Sequence, residues 1–360
     1  MRPSTARAMV LRQFGQPLEP ADLPVPEIEP GGVLVRIEAA GICGSDLEII
    51  DRHDPRVGDD LLPLIPGHEG VGTVIDCDPE RVDLLGRPVC PGDLVVWNRG
   101  ITCGQCNYCA VRRESSLCPS RQVYGISLSA REPYWLNGCY SEALYVRPRS
   151  EVLILPPGTD PATIVPATCS GATAAHGIEL AGVQLGDRVL VIGPGPLGLF
   201  SAAFALSLGA SEVVVAGTER SRSRLELAAE MGCITALTSD LAPGETEPFP
   251  VVLDCAGNAR SVEQSLELVA PGGVVALPGV ASPLGEVCID VYEKLARRNA
   301  RLQGVWVSDA RHLYQAVSLV QSGRFPLDRL VTHRFPRSAA NEALEAVRSR
   351  QAVKAVLVPD

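Results

Sequence analysis

Residues 186–217 of this 360-residue chain read GDRVLVIGPGPLGLFSAAFALSLGASEVVVAG, and no other stretch limits the fold so tightly. A β-branched run, a glycine turn, an apolar run and a second β-branched run read as strand, turn, helix and strand. Parallel strands joined in this way need a crossover connection, usually a helix. The alternation then continues through SRLELAAEMG, FPVVLDCAG, SVEQSLELVAPGG and GVVALPGV. The expected product is a parallel sheet covered on both faces.

The turn itself carries chemistry. Gly193, Gly195 and Gly198 form G-x-G-x-x-G, with Pro196 and Leu197 between the second and third glycines. The first glycine makes the tight turn, the second admits a pyrophosphate to the backbone, and the third lets helix and strand pack closely. The helix N-terminus then faces the phosphates. A lone motif of this kind is weak, but here a strand precedes it, a helix follows, and a second strand arrives in register. This context points to a dinucleotide. At the end of the second strand, Glu219 is a candidate to hold an adenosine ribose, which favours NAD. Arg220 and Arg222 are candidates for the 2′-phosphate of NADP. Exposed helix-start charges are the plain alternative for all three.

Residues 1 to about 155 have a different texture: short β-branched runs such as GGVLVRIEAAGI, GVGTVIDCD and GDLVVWN between Gly and Pro turns. They read as an irregular all-β module, a barrel rather than a helical bundle. The last fifty residues return to mixed helix and strand. No apolar run reaches the roughly 20 residues of a membrane span, and the first twenty residues show no apolar signal segment. The expected location is cytoplasmic, where disulfides are disfavoured. A formal charge of −10 argues against nucleic acid or an anionic membrane as partner.

Four thiols crowd into sixteen residues: Cys103, Cys106, Cys109 and Cys118. Disulfides, an iron–sulfur cluster, a redox switch and a structural metal are all open on spacing alone. The ferredoxin pattern also starts C-x2-C-x2-C and ends in Cys-Pro, but its last gap is three residues, and no second cluster set is present. Elsewhere GICGSD supplies Cys43, Ser45 and Asp46, PGHEGVG supplies His68 and Glu69, and PATCSGATAAHG supplies Cys169. Singly, a buried cysteine is usually a small hydrophobe. Jointly, two thiolates and an imidazole make a Cys2His zinc site with one open position.

In this order and at these separations, GICGSD, PGHEGVGTV, the four-cysteine lobe, CSGATA and GPGPLG resemble the zinc-dependent medium-chain alcohol dehydrogenase family over essentially the whole chain. The resemblance implies a Rossmann nucleotide-binding domain at 166–306 and a GroES-like β-barrel catalytic domain. The barrel domain is built from 1–165, with the lobe at 99–120, and completed by 307–360. It implies a structural zinc on the four lobe cysteines, with one residue more between Cys109 and Cys118 than the family's usual seven, so the loop must bulge. It implies a catalytic zinc on Cys43, His68 and Cys169, with Glu69 able to approach the metal. Asp46 is then the carboxylate that orients His68, and Ser45 the hydroxyl that takes the substrate proton. Many relatives continue the relay with a histidine two residues after that aspartate. Here Glu48 stands there, and Glu48, His53 or a water completes the path. The implied reaction is hydride transfer between a zinc-polarised alcohol and nicotinamide.

The expected substrate is a polar secondary alcohol such as a sugar, amino-sugar or cyclitol hydroxyl, with small aliphatic alcohols or aldehydes as runner-up. Trp97 is a candidate pocket wall and equally a barrel-core aromatic. Tyr134, Trp135 and Asn137 read as lining a cleft mouth or a subunit contact. A zinc-free quinone or enoyl reductase, a non-enzymatic nucleotide sensor and a thiol redox sensor are the rivals; the complete ligand set argues against the first two. Family analogy implies a homodimer or homotetramer. Cys77, Cys90, Cys139, Cys233, Cys255 and Cys288 match no metal pattern and read as buried apolar residues.

Overall fold

The structure is a computed structural model and describes residues 2–52, 58–131 and 135–360; His53 and Tyr134 lie outside the described residues. The chain divides into two compact units. Unit 1 comprises Met1–Cys169, Asp309–Tyr314 and Asp328–Asp360, and unit 2 comprises Ser170–Ser308 and Gln315–Leu327.

The strands in chain order are β1 (Thr5–Val10), β2 (Glu19–Pro24), β3 (Val33–Gly41), β4 (Glu69–Cys77), β5 (Leu94–Trp97), β6 (Gly100–Ile101), β7 (Gln122–Val123), β8 (Ala143–Val146) and β9 (Val152–Ile154). In unit 2 follow β10 (Arg188–Ile192), β11 (Glu212–Gly217), β12 (Ile234–Leu237), β13 (Phe249–Asp254), β14 (Val269–Leu277) and β15 (Arg301–Gly304). The returning segment adds β16 (Val331–Pro336) and β17 (Lys354–Val358). The helices are α1 (Gly44–Ile50), α2 (Pro161–Ile164), α3 (Ser170–Ala181), α4 (Pro196–Ser207), α5 (Arg222–Glu230), α6 (Ala259–Leu268), α7 (Ala310–Gln321) and α8 (Ala340–Arg348).

Unit 1 is built on a seven-stranded sheet in the order β16-β17-β3-β4-β5-β9, with β8 also paired to β3. Apart from the parallel β16–β17 pair, its neighbours run antiparallel. β3 is buried along nearly its whole length, because it pairs on both edges and lies inside the barrel core. The last strand, β17, pairs with β3 at Val356↔Gly41 and Leu357↔Ala40. The carboxy-terminal segment therefore completes the sheet that the first forty residues begin.

Unit 2 holds a six-stranded sheet in the order β12-β11-β10-β13-β14-β15, parallel throughout. Counting from β10, this is 3-2-1-4-5-6, the doubly wound arrangement that binds dinucleotides where the strand order reverses. β10 is buried from Val189 onward and reads as a continuous apolar run, as a strand covered on both faces must. Among the described residues, no helix is long and apolar enough to cross a membrane.

Candidate metal centre and dinucleotide turn

Gly193 ends β10 with φ +103°, a region that side-chain-bearing residues rarely enter. A Cβ at Gly198 would lie 1.9 Å from the Gly193 carbonyl oxygen, so α4 can approach β10 this closely only through glycine. Above Gly195, the cap of α4, nothing lies within 4 Å of a built Cβ. Pro196 takes the first helical position, where its missing N–H costs nothing. The result is an open cradle at the N-terminus of a twelve-residue helix, which fits a pyrophosphate. Glu219 is placed differently from a strand-end acid. β11 ends at Gly217, and Glu219 lies two residues further on, exposed, with its carboxylate 2.6 Å from Arg222 Nη2. Arg220, exposed on the same turn, has no polar partner among the described residues.

The second cluster belongs wholly to unit 1. Ligand atoms of Cys43, His68, Glu69 and Cys169 all lie within 4.8 Å of one another. Cys43 caps α1, and its backbone N–H donates to Asp46 Oδ2 at 2.8 Å. Asp46, only 1 % exposed, is 3.2 Å through Oδ1 from Nδ1 of His68 and accepts the Tyr140 hydroxyl at 3.1 Å. One carboxylate thus fixes the helix start and the imidazole together, and leaves Nε2 of His68 as the nitrogen available to a metal. Burial opposes charge on His68, but the Asp46 carboxylate outweighs it and pushes the imidazole up to about 10. A basic, oriented imidazole is a strong metal donor. The hydrogen bond from Cys43 to Cys169 lowers Cys169 and raises Cys43, and the Arg99 guanidinium lowers Cys169 further. The Ser45 hydroxyl lies 4.0 Å from the Cys43 sulfur, and Glu48 lies one helical turn further along α1.

Sequence reasoning missed three neighbours of this cluster. Lys354, one of only two lysines in the chain, is buried with its Nζ 2.7 and 2.6 Å from the two Glu69 carboxylate oxygens and donates to the Ile42 carbonyl at 3.1 Å. Arg99 donates to the Cys169 sulfur. Tyr140 is fully buried against Asp46. No local signal marked them: Gly41, where a Cβ would lie 2.1 Å from Glu69 Oε2, is one of 34 glycines in the chain. Trp97 is 2 % exposed, with its ring against Gly70 in the barrel core, so its placement lends no support to a pocket-wall role. Trp135 packs on the same core, and buried Asn137 donates to the Ser129 carbonyl at 2.8 Å. Both serve the barrel. Cys90 and Cys288 are exposed, contrary to the buried reading.

In the lobe, Cys103, Cys106, Cys109 and Cys118 again bring their sulfurs within 4.8 Å. Cys106 and Cys109 sulfurs are 3.5 Å apart, too far for a disulfide at about 2.05 Å. Sulfurs sharing a tetrahedral zinc at about 2.3 Å stand roughly 3.8 Å apart, so the set fits. The long Cys109–Cys118 gap is taken up by a π-helical turn over Asn107–Arg112 and by Arg113 at φ 56°. Asp309 accepts from Ser115 Oγ at 2.8 Å and the Ser116 N–H at 2.6 Å, which ties the lobe to the returning segment. Backbone N–H groups of Gln105 and Cys106 hold the Cys103 thiol down at about 6, ready as a thiolate. Cys103→Ala is expected to release one zinc per chain and lower the thermal midpoint by several degrees, with turnover per folded molecule little changed. Zinc analysis and calorimetry check this, and a normal midpoint with full zinc overturns the lobe assignment.

A parallel nucleotide sheet, an antiparallel barrel and two zinc-fitting donor sets define a zinc-type, nicotinamide-linked dehydrogenase. Residues 29–157 match the model of the alcohol dehydrogenase GroES-like domain, and residues 167–358 match the glucose dehydrogenase C-terminus. An alcohol dehydrogenase structure from Thermotoga maritima is 40% identical, with a TM-score of 0.92 over 99% of this chain and 100% of that one. D-altritol 5-dehydrogenase of Agrobacterium fabrum is 31% identical, covering 88% of this chain and 89% of its own length. L-threonine 3-dehydrogenase of Anaeromyxobacter dehalogenans is 31% identical over 93% of each chain. The chain belongs to the zinc-dependent medium-chain alcohol dehydrogenase family. It is an NAD(P)-dependent oxidoreductase acting on CH–OH groups, with a small molecule as substrate.

Proposed function

We propose that this enzyme interconverts a polar secondary alcohol and its ketone, with Cys43, His68 and Cys169 holding the catalytic zinc and the four lobe cysteines a structural one. The observation that carries the reading is the convergence of two thiols, an imidazole and a carboxylate beside the Ser45 hydroxyl. The reaction is alcohol plus NAD(P)⁺ giving carbonyl, NAD(P)H and a proton. Zinc held by these residues would supply Lewis acidity that lowers an alcohol's pKa, and a nicotinamide cofactor, its pyrophosphate at the glycine turn, would supply the hydride acceptor.

The chain's own groups do the rest. Ser45 takes the hydroxyl proton and hands it along the face of α1 toward Glu48, its i+3 neighbour. Asp46 keeps the His68 ring in one orientation throughout, and Tyr140 keeps Asp46 in place. Lys354 holds the Glu69 carboxylate, so that it does not compete for the open position. Gly193, Gly195, Pro196, Leu197 and Gly198 receive the pyrophosphate. Glu219 accepts the ribose hydroxyl of NAD, while Arg220 and Arg222 serve a 2′-phosphate when NADP is bound. The relatives named for D-altritol and L-threonine support a polar substrate. Exposed Val291 and Tyr292, in the segment before the sheet-edge strand β15, support assembly as a homodimer or homotetramer.

The test is steady-state oxidation of polyols, amino alcohols and short aliphatic alcohols with NAD and NADP, on protein of measured zinc content. Two zincs per chain and a kcat/KM at least about tenfold higher for a polar secondary alcohol are expected, a gap of about 1.4 kcal/mol. Preference for aliphatic alcohols would favour the runner-up substrate class. One zinc and no turnover would overturn the proposal. In the same assay, Glu219→Ala is expected to shift the NAD/NADP affinity ratio roughly tenfold toward NADP. Losing the ribose acceptor and freeing Arg222 act in the same direction, and an unchanged ratio would put ribose recognition elsewhere.

A further inference from the structure

The ligand atoms of Cys43, His68, Glu69 and Cys169 lie within 4.8 Å of one another, and Lys354 is committed to Glu69. A divalent cation then balances the two sulfur ligands, so a further buried cation at this site is not needed as a counter-charge. Arg99 is that further cation, and it acts as a hydrogen-bond donor to one ligand. It is 6 % exposed, donates to the Cys169 sulfur through Nη1, and its charge also faces Cys43 and Glu69.

The segment is built to hold this guanidinium. Asn98, next to it, donates through Nδ2 to Glu151 at 3.0 Å and accepts the Gly100 N–H at 3.2 Å. The Arg99 carbonyl accepts the Tyr124 N–H at 3.2 Å. On the other side, the Arg121 guanidinium packs so tightly on Gly100 that a Cβ there would lie 2.6 Å from its Nη2. Two guanidinium groups in one buried region repel, and the anionic sulfur offsets that cost.

We propose that Arg99 is a positioning residue of the metal centre, holding the Cys169 sulfur toward the cluster through a hydrogen bond and drawing electron density from it. The inference rests on the reading of Cys43, His68 and Cys169 as metal ligands. A sulfur lone pair shared with a guanidinium N–H is less available to the metal, which is left a stronger Lewis acid. Removing the guanidinium leaves the Cys169 sulfur without the donor that fixes its direction, so metal binding weakens although the sulfur itself is more electron-rich. Lysine offers a point charge in place of the planar fork and substitutes only in part.

The experiment loads full-length protein with Co(II) in place of zinc and reads the thiolate-to-cobalt charge-transfer band together with cobalt affinity at both sites. In Arg99→Gln the band from the Cys43/Cys169 cluster is expected to move to lower energy. Affinity there is expected to fall roughly 10- to 100-fold, with the lobe site unchanged as an internal control. Arg99→Lys is expected to recover part of both, and it decides the matter alone if Arg99→Gln does not fold. A wild-type band and wild-type affinity in the variants that fold would overturn the role of Arg99 and leave the metal site standing. A wild-type protein that takes up one cobalt per chain, with a spectrum indifferent to Cys169→Ser, would overturn the metal-site reading and this inference with it.

Discussion

Cys43→Ala is expected to purify with one zinc per chain instead of two, to lose at least about a thousandfold in turnover, and to bind nicotinamide cofactor as the parent does. The magnitude follows from Lewis-acid stabilisation worth several kcal/mol, with each 1.36 kcal/mol a factor of ten in rate. The three outcomes separate because the structure separates their causes. Half of the capping box at the start of α1, the Cys43 backbone N–H on Asp46, survives the loss of the sulfur. The lobe cysteines form their own cluster. The cofactor turn belongs to the other unit and owes nothing to Cys43. Zinc analysis, titration calorimetry with NAD and NADP, and steady-state rates on one preparation check all three. Retained turnover with one zinc would refute the catalytic-site assignment; loss of cofactor binding would show the substitution to be structural.

Features set by neighbouring residues were legible in the sequence. Gly193, Gly195 and Gly198 lie on one turn between a strand and a helix, and each glycine requirement is met within the turn itself or against the strand beside it. The six-stranded parallel sheet follows from alternating apolar runs, since burial on both faces leaves little room for polar residues. The clustering of the two donor sets was legible because thiols and imidazoles offer few combinations, and Cys103 to Cys118 share one short segment.

The remainder depended on pairs far apart in sequence. Arg99 meets Cys169 across 70 residues and Lys354 meets Glu69 across 285, so no local pattern announces either contact. Lys354 looked uninformative as one of two lysines, yet it sits on the strand that closes the barrel sheet beside Gly41. Trp97 shows the converse limit. Period-two alternation puts it on one face of β5, and only the packing of Gly70 and Cys139 says that this face is the core. For Glu219, the ribose assignment turns on where β11 stops, a boundary that sequence periodicity leaves uncertain by several residues.

Lys354→Met is expected to cost about 3–5 kcal/mol of stability, the usual penalty for removing one partner of a buried ion pair. Both partners are almost fully enclosed, at 3 % and 0 % side-chain exposure, so solvent screens little of the interaction. The Glu69 carboxylate is left against the space that Gly41 vacates by lacking a Cβ, with no cation to face it. A loss of this size is a large share of the 5–15 kcal/mol that separates folded from unfolded protein. Urea unfolding should show a lower midpoint with an unchanged slope, the mark of a stability change without a change in exposed surface. Glu69→Gln in the same chain should restore at least half of the loss, because the neutral amide no longer needs a counter-charge. A single variant as stable as the parent would mean that the pair breaks even against its desolvation. A double variant no better than the single would shift the cause to the Lys354 bond with the Ile42 carbonyl, a contact that Glu69→Gln leaves unrepaired.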